Sequence, residues 1–206
     1  MLFILYGNVA LGDSNFHQMI TTSLGMVNVS VTENASSLSS ASSSTSTTTT
    51  DSNVSTPSSA SASVISLDLV YEFSHFNQKS YFIRATAPML SSDGSGFFAG
   101  SIGMNFYFSS LASLYSFNDN GSTLSINPTM RFYWGTNAGV GFLVYNTTTA
   151  KKSDLIFDLE LHGGGIMNFK KEWGLRGEAG LSRGTGVSTS TIAMKIFIGL
   201  SYYLEK

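Results

Sequence analysis

The sequence predicts an all-β fold, an antiparallel up-and-down transmembrane β-barrel of about eight strands. Three observations lead there. Apolar and polar side chains alternate over stretch after stretch, the period of a strand whose two faces meet different surroundings. The 206 residues are apolar in aggregate, with only 12% charged, yet no run approaches a membrane-spanning helix. And the aromatic residues of the apolar parity collect at one end of the strands.

The first strand region, Phe16 to Glu33, sets Val27, Val29 and Val31 against Asn28, Ser30 and Thr32. Residues 34–63 are almost entirely Ser, Thr, Ala and Asn, too poor in apolar groups to offset ordering entropy, and read as a disordered loop. The second strand, Val64 to His75, carries Asp68 and Glu72 on its polar face, and the third, Ser80 to Ala87, carries Arg84. The fourth runs from Phe97 to Phe108. Ser109 to Asn127 reads as a long connection or as a small hairpin around Asn120-Gly121. The fifth strand, Thr129 to Tyr145, and the sixth, Asp154 to Phe169, alternate in the same way. The last hairpin, Glu172 to Lys206, shows the longest alternation: Ile192, Met194, Ile196, Ile198 and Leu200 lie on one face and Lys195 on the other. Ahead of all this, residues 1–12 form a short apolar segment ending Ala10-Leu11-Gly12. It reads as a truncated signal peptide, with a frayed strand as the alternative, which leaves residues 13–206 as the barrel domain.

Alternation alone also fits a soluble sandwich. The sorting of aromatics decides for the membrane: Phe73, Tyr81, Phe106, Phe132, Trp134, Trp173 and Tyr202 share the apolar parity and fall near one rim, as an interfacial girdle does. The chain closes on Gly199, Tyr202 and Leu204, spaced as the C-terminal assembly signal of bacterial outer-membrane barrels, although Phe197 stands where that signal usually has a polar residue. With these residues the sequence resembles the small eight-stranded outer-membrane barrel family, the OmpA/OmpX-type domains. The resemblance covers Phe16 to Leu204. It implies an integral outer-membrane location, a structural or surface-interaction (adhesive or shielding) role, and as partners the outer-membrane lipid and the barrel assembly machinery. An outer-membrane lipid-modifying or hydrolytic enzyme and a narrow channel are the alternatives. The net charge of −2 gives no basic patch for nucleic acid, the absence of cysteine excludes thiolate metal sites, and no cofactor is implied.

Two motifs have a catalytic look. His162-Gly163-Gly164-Gly165 matches a lipase oxyanion loop, and Gly180-Leu181-Ser182-Arg183-Gly184 matches G-x-S-x-G. In that hydrolase fold the histidine follows the serine and a helix follows the elbow; here neither does. Asp154, Asp158 and Glu160 spread along one strand rather than converging on calcium. Paired lumen charges are the expected use of the polar face, because an unpaired charge in a narrow interior is costly. Turns centred near Gly186, Lys170 and Asn77 would place Lys195 opposite Glu178 and Phe197 opposite Arg176. They predict two clusters, Lys195–Glu178–Glu160–Arg176–His162 and Arg84–Asp68–Glu72.

Overall fold

The computed structural model describes residues 17–34, 59–76, 78–91, 94–108, 115–119, 122–126, 130–146, 151–170 and 172–204. Ten strands follow in chain order: β1 (His17–Glu33), β2 (Ser59–Phe76), β3 (Lys79–Ser91), β4 (Gly96–Tyr107), β5 (Tyr115–Asp119), β6 (Ser122–Ile126), β7 (Met130–Asn146), β8 (Lys151–Asn168), β9 (Trp173–Gly186) and β10 (Thr189–Leu204). Eight of them close an antiparallel barrel in the order β1-β10-β9-β8-β7-β4-β3-β2, so first and last strands pair and no edge remains. The other two form a separate hairpin in which Asp119 pairs with Ser122. Of the two readings of the 109–127 segment, the small hairpin is therefore the one adopted, with Asn120-Gly121 between its strands but outside the described residues. It joins β4 to β7 at the barrel end where the last strand finishes, which we call the lower end.

The ladders fix the shear. From Thr32 the paired residues run through Ser190, Thr185, Phe157, Val140, Gly100, Ala85 and Leu69 and return to β1 at Thr22, ten residues lower (32 to 22). That stagger tilts the strands by about 40° and leaves an interior just wide enough for side chains.

Outside and inside are inverted relative to a soluble protein. The outward rows carry exposed Leu24, Ile83, Ile102, Phe142, Leu159 and Ile198, while Asp68, Glu72, Arg84, Glu160, Arg176 and Glu178 are buried. Water would strand that apolar exterior; lipid solvates it. The interior is layered. Near the lower end Met19, Tyr107, Tyr133, Ile166 and Tyr203 pack together, and near the upper end a larger cluster gathers Val27, Val29, Val31, Phe97, Leu143, Ile156 and Phe197. The linked charges around Arg84 lie between these two plugs, while Arg131 packs on Tyr203 of the lower one and Glu33 sits beside Tyr145 of the upper one.

Two sequence expectations are corrected. The outward parity of the upper half of β1 belongs to Asn28, Ser30 and Thr32, while Val27 is 0% exposed and faces the lumen with Val29 and Val31. The upper plug needs apolar side chains inward, and the strand has by then risen out of the apolar band. Second, the Ser/Thr-rich stretch does not remain a loop to residue 63. Ser59 to Ser63 already belong to β2 and pair with Thr32 to Asn28. Backbone ladder bonds need no apolar side chain, so composition misplaced that boundary. Residues 1–12 and 35–58, which carry the leader reading and most of the loop reading, lie outside the described residues.

Candidate functional site

Each lumen charge is aimed inward by strand parity, and the shear then sets its height. Arg84 on β3 occupies the centre. Its Nη1 donates to Glu160 Oε1 at 3.0 Å, its Nη2 donates to Glu178 Oε1, and its Nε lies 3.4 Å from Asp68 Oδ2. Arg176 on β9 donates from Nη1 to Glu72 Oε2 and from Nη2 to Glu178 Oε2, each at 2.8 Å. Its Nε donates to the Tyr133 hydroxyl at 2.6 Å, and that hydroxyl donates to Glu178 Oε2 at 2.7 Å. Lys195 Nζ donates to Asp158 Oδ2 at 2.8 Å and to Glu160 Oε2 at 2.7 Å. Glu72 also accepts from the hydroxyls of Tyr107 and Ser80.

The two expected clusters are thus one network. Counting along hairpins finds only neighbours in the wall, whereas Arg84 reaches across the lumen: β9 is four strands from β3 in an eight-strand ring, the opposite side. The register of the last hairpins also differs by two residues from the expectation. Phe197, not Lys195, pairs with Glu178, and Gly199 pairs with Arg176. Between β8 and β9, Arg176 faces Ile166 and Glu178 faces Gly164. The last turn is Val187-Ser188 rather than one centred on Gly186, and Asp154 Oδ2 fixes it by accepting from the Ser188 amide at 3.0 Å and the Thr189 hydroxyl at 2.7 Å. A two-residue slip keeps parity, so every inward side chain stays inward while its partner changes. The β2–β3 register is the expected one at Arg84, which pairs with Val70.

His162 lies at the edge of the network. Its Nε2 is 2.8 Å from Asn105 Oδ1, and its Nδ1 lies 3.6 Å from Glu160 Oε1. Asn105, Gly135 and His162 are consecutive partners across β4, β7 and β8, so the hydrogen bond spans Gly135. A Cβ at Gly135 would collide with both side chains, which is why the middle strand has glycine there. Gly164 has a similar reason: it pairs with Tyr133, and a Cβ would meet the phenol carbon 2.7 Å away. The lipase-like His-Gly-Gly-Gly run is therefore a bed for a lumen tyrosine. Ser182 pairs with Glu160 and has no hydrogen-bond partner for its buried Oγ, while His162 pairs with Gly180 and turns Nε2 away to Asn105. No nucleophile–base hydrogen bond joins them.

Glu160, His162 and Glu178 have potential metal-ligand atoms within 4.8 Å of one another. Their four carboxylate oxygens already accept from Arg84, Lys195, Arg176 and Tyr133, and a dication would sit against the Arg84 guanidinium. Tyr107, Tyr133 and Asn105 are network members beyond the expected charges, and Asp158, an expected lumen acid outside the two clusters, joins through Lys195. Tyr133 was visible in the sequence, since it stands between the outward Phe132 and Trp134 and must point inward.

On the outside, the aromatics form direct cross-strand pairs. Phe106 stacks on Trp134 with centroids 4.6 Å apart, Trp173 meets Tyr202 at 4.9 Å, and Phe73 meets Tyr81 at 5.8 Å. Phe132 is exposed beside them.

No family model and no curated protein matches this sequence. Solved structures do. Neisserial surface protein A (NspA) is 10% identical, with a TM-score of 0.52 over 89% of this chain and 96% of that one. Ail, the attachment invasion locus protein of Yersinia pestis, is 14% identical, with 90% and 98% covered and a TM-score of 0.44. The N-terminal β-barrel domain of Pseudomonas aeruginosa OprF is 7% identical, with 87% and 97% covered and a TM-score of 0.46. At such identities a likeness speaks of fold, and the strand order and closure say the same: this chain has the fold of the small eight-stranded outer-membrane β-barrels.

Proposed function

We propose that the protein is an integral outer-membrane barrel with a structural or surface-interaction role, adhesive or shielding, and that its lumen is a non-catalytic, charge-paired brace. The observation that carries this reading is the filled interior: buried apolar clusters cap a network in which Arg84 ties β3 to β2, β8 and β9. Among the described residues, such a lumen is occupied by paired and packed side chains, as a brace requires. The outward aromatic pairs serve as the lower interfacial belt, and the connection between β1 and β2 leaves from the opposite end, which suits presentation outside the cell. The barrel assembly machinery is the partner its C-terminal strand would meet first.

Protein folded into phospholipid vesicles tests the role. Entrapped small ions should be retained, and lipid extracted after prolonged incubation should be intact. Steady ion release would replace the brace with a channel, and cleaved or acyl-transferred lipid would replace it with an enzyme.

A further inference from the structure

On the outer wall a groove of about 960 Å³ crosses the barrel obliquely. Its floor is one hydrogen-bonded row, Phe82, Gly103, Asn137, Glu160 and Ser182, running through β3, β4, β7, β8 and β9. These side chains turn inward or, at Gly103, are absent, so the floor presents backbone already used in the ladders. Outward side chains form the banks, Met104, Thr136 and Leu161 on one side and Ile102, Ala138 and Leu159 on the other. Small Thr136 and Ala138 widen the middle. Because of the shear, the row climbs from the aromatic level at Tyr81 towards Arg183.

Arg183 is the odd residue there. It points outward, exposed, and pairs with Leu159 and Ile192, both exposed and apolar. No ion pair or hydrogen bond among the described residues engages its side chain. It stands ten positions above Trp173 on β9 (183 against 173), a climb of about 25 Å on a strand tilted by about 40°. That is the height of the apolar band, so the guanidinium arrives at the upper interface. A charge there is tolerated when it meets an anion, and guanidinium forks match phosphate oxygens.

We propose that this groove seats one acyl chain of a phosphate-bearing lipid of the outer leaflet, with Arg183 holding the phosphate. The assignment rests on the membrane-spanning reading and adds to it a single defined lipid site. Charge selects the headgroup, while the bare floor between apolar banks accommodates the chain.

The test uses the folded full chain in dodecyl maltoside micelles, with retained lipid counted by native mass spectrometry. The probes are phosphatidylglycerol, a diacylglycerol with the same acyl chains, and inorganic phosphate. Phosphatidylglycerol should be retained and should raise the unfolding temperature, whereas the other two should do neither. Arg183→Gln should weaken retention about tenfold, the loss of one charge-assisted contact. Ala138→Phe, which fills the groove without touching the lumen, should weaken it as well. Equal retention by Arg183→Gln and the native chain overturns the site, as does equal stabilisation by inorganic phosphate. A native chain that never folds in micelles, shown by the absence of a heat-dependent gel shift, would defeat the membrane reading instead.

Discussion

At the scale of residues, the lumen explains which substitutions the protein can bear. Arg84→Ala removes the cation shared by Asp68, Glu160 and Glu178 and leaves buried carboxylates short of a partner. Breaking a buried pair from one side costs about 3–5 kcal/mol, more than the pair itself contributes against an apolar replacement. Urea unfolding from vesicles, followed by tryptophan fluorescence, should show a loss of that order. Double-mutant cycles distinguish the observed register from the simple hairpin count. Lys195 and Glu160 should couple by about 0.5–3 kcal/mol, and Lys195 and Glu178, which share no contact, by much less. Gly135→Ala should cost about 1–3 kcal/mol, because the added methyl forces apart Asn105 and His162. The inward direction of these charges was legible from parity alone. Their partners were not, because a pairing across the lumen depends on barrel closure and shear, and neither is written in any one hairpin.

At the scale of elements, alternation located all eight wall strands, and it failed where the surroundings of a strand change along its length. The upper half of β1 is the instructive case: its valines look lipid-facing by hydropathy yet form part of the upper plug, while its polar residues face out above the bilayer. The start of β2 is another, since Ser59 to Ser63 pair through backbone alone. Shortening the chain between residues 36 and 57 should leave unfolding unchanged, because closure entropy varies only slowly with loop length. Extending the deletion through Ala62 removes ladder partners of Val29 to Thr32 and should destabilise. On the lipid face, Ile196→Arg should cost about 2–4 kcal/mol if measured from vesicles, the depth-dependent penalty of a charge near the midplane, whereas Leu159→Arg, beside Arg183 near the upper interface, should cost less. Both residues point outward and are exposed.

At the scale of the whole molecule, an apolar exterior, a closed ladder and a buried polar interior each require the others. The closed ladder leaves no strand edge in lipid, the exterior excludes water as the outer solvent, and the paired lumen lets charged side chains fill a space too narrow to hydrate them. The measurement that tests this most directly is the electrophoretic mobility of detergent-folded protein in SDS, unboiled against boiled. A closed membrane barrel resists SDS until heated, so the unboiled sample should run as a distinct, faster band that boiling converts to the mobility of the unfolded chain. A single band of identical mobility under both conditions, from protein that folds and stays soluble without detergent, would contradict the account.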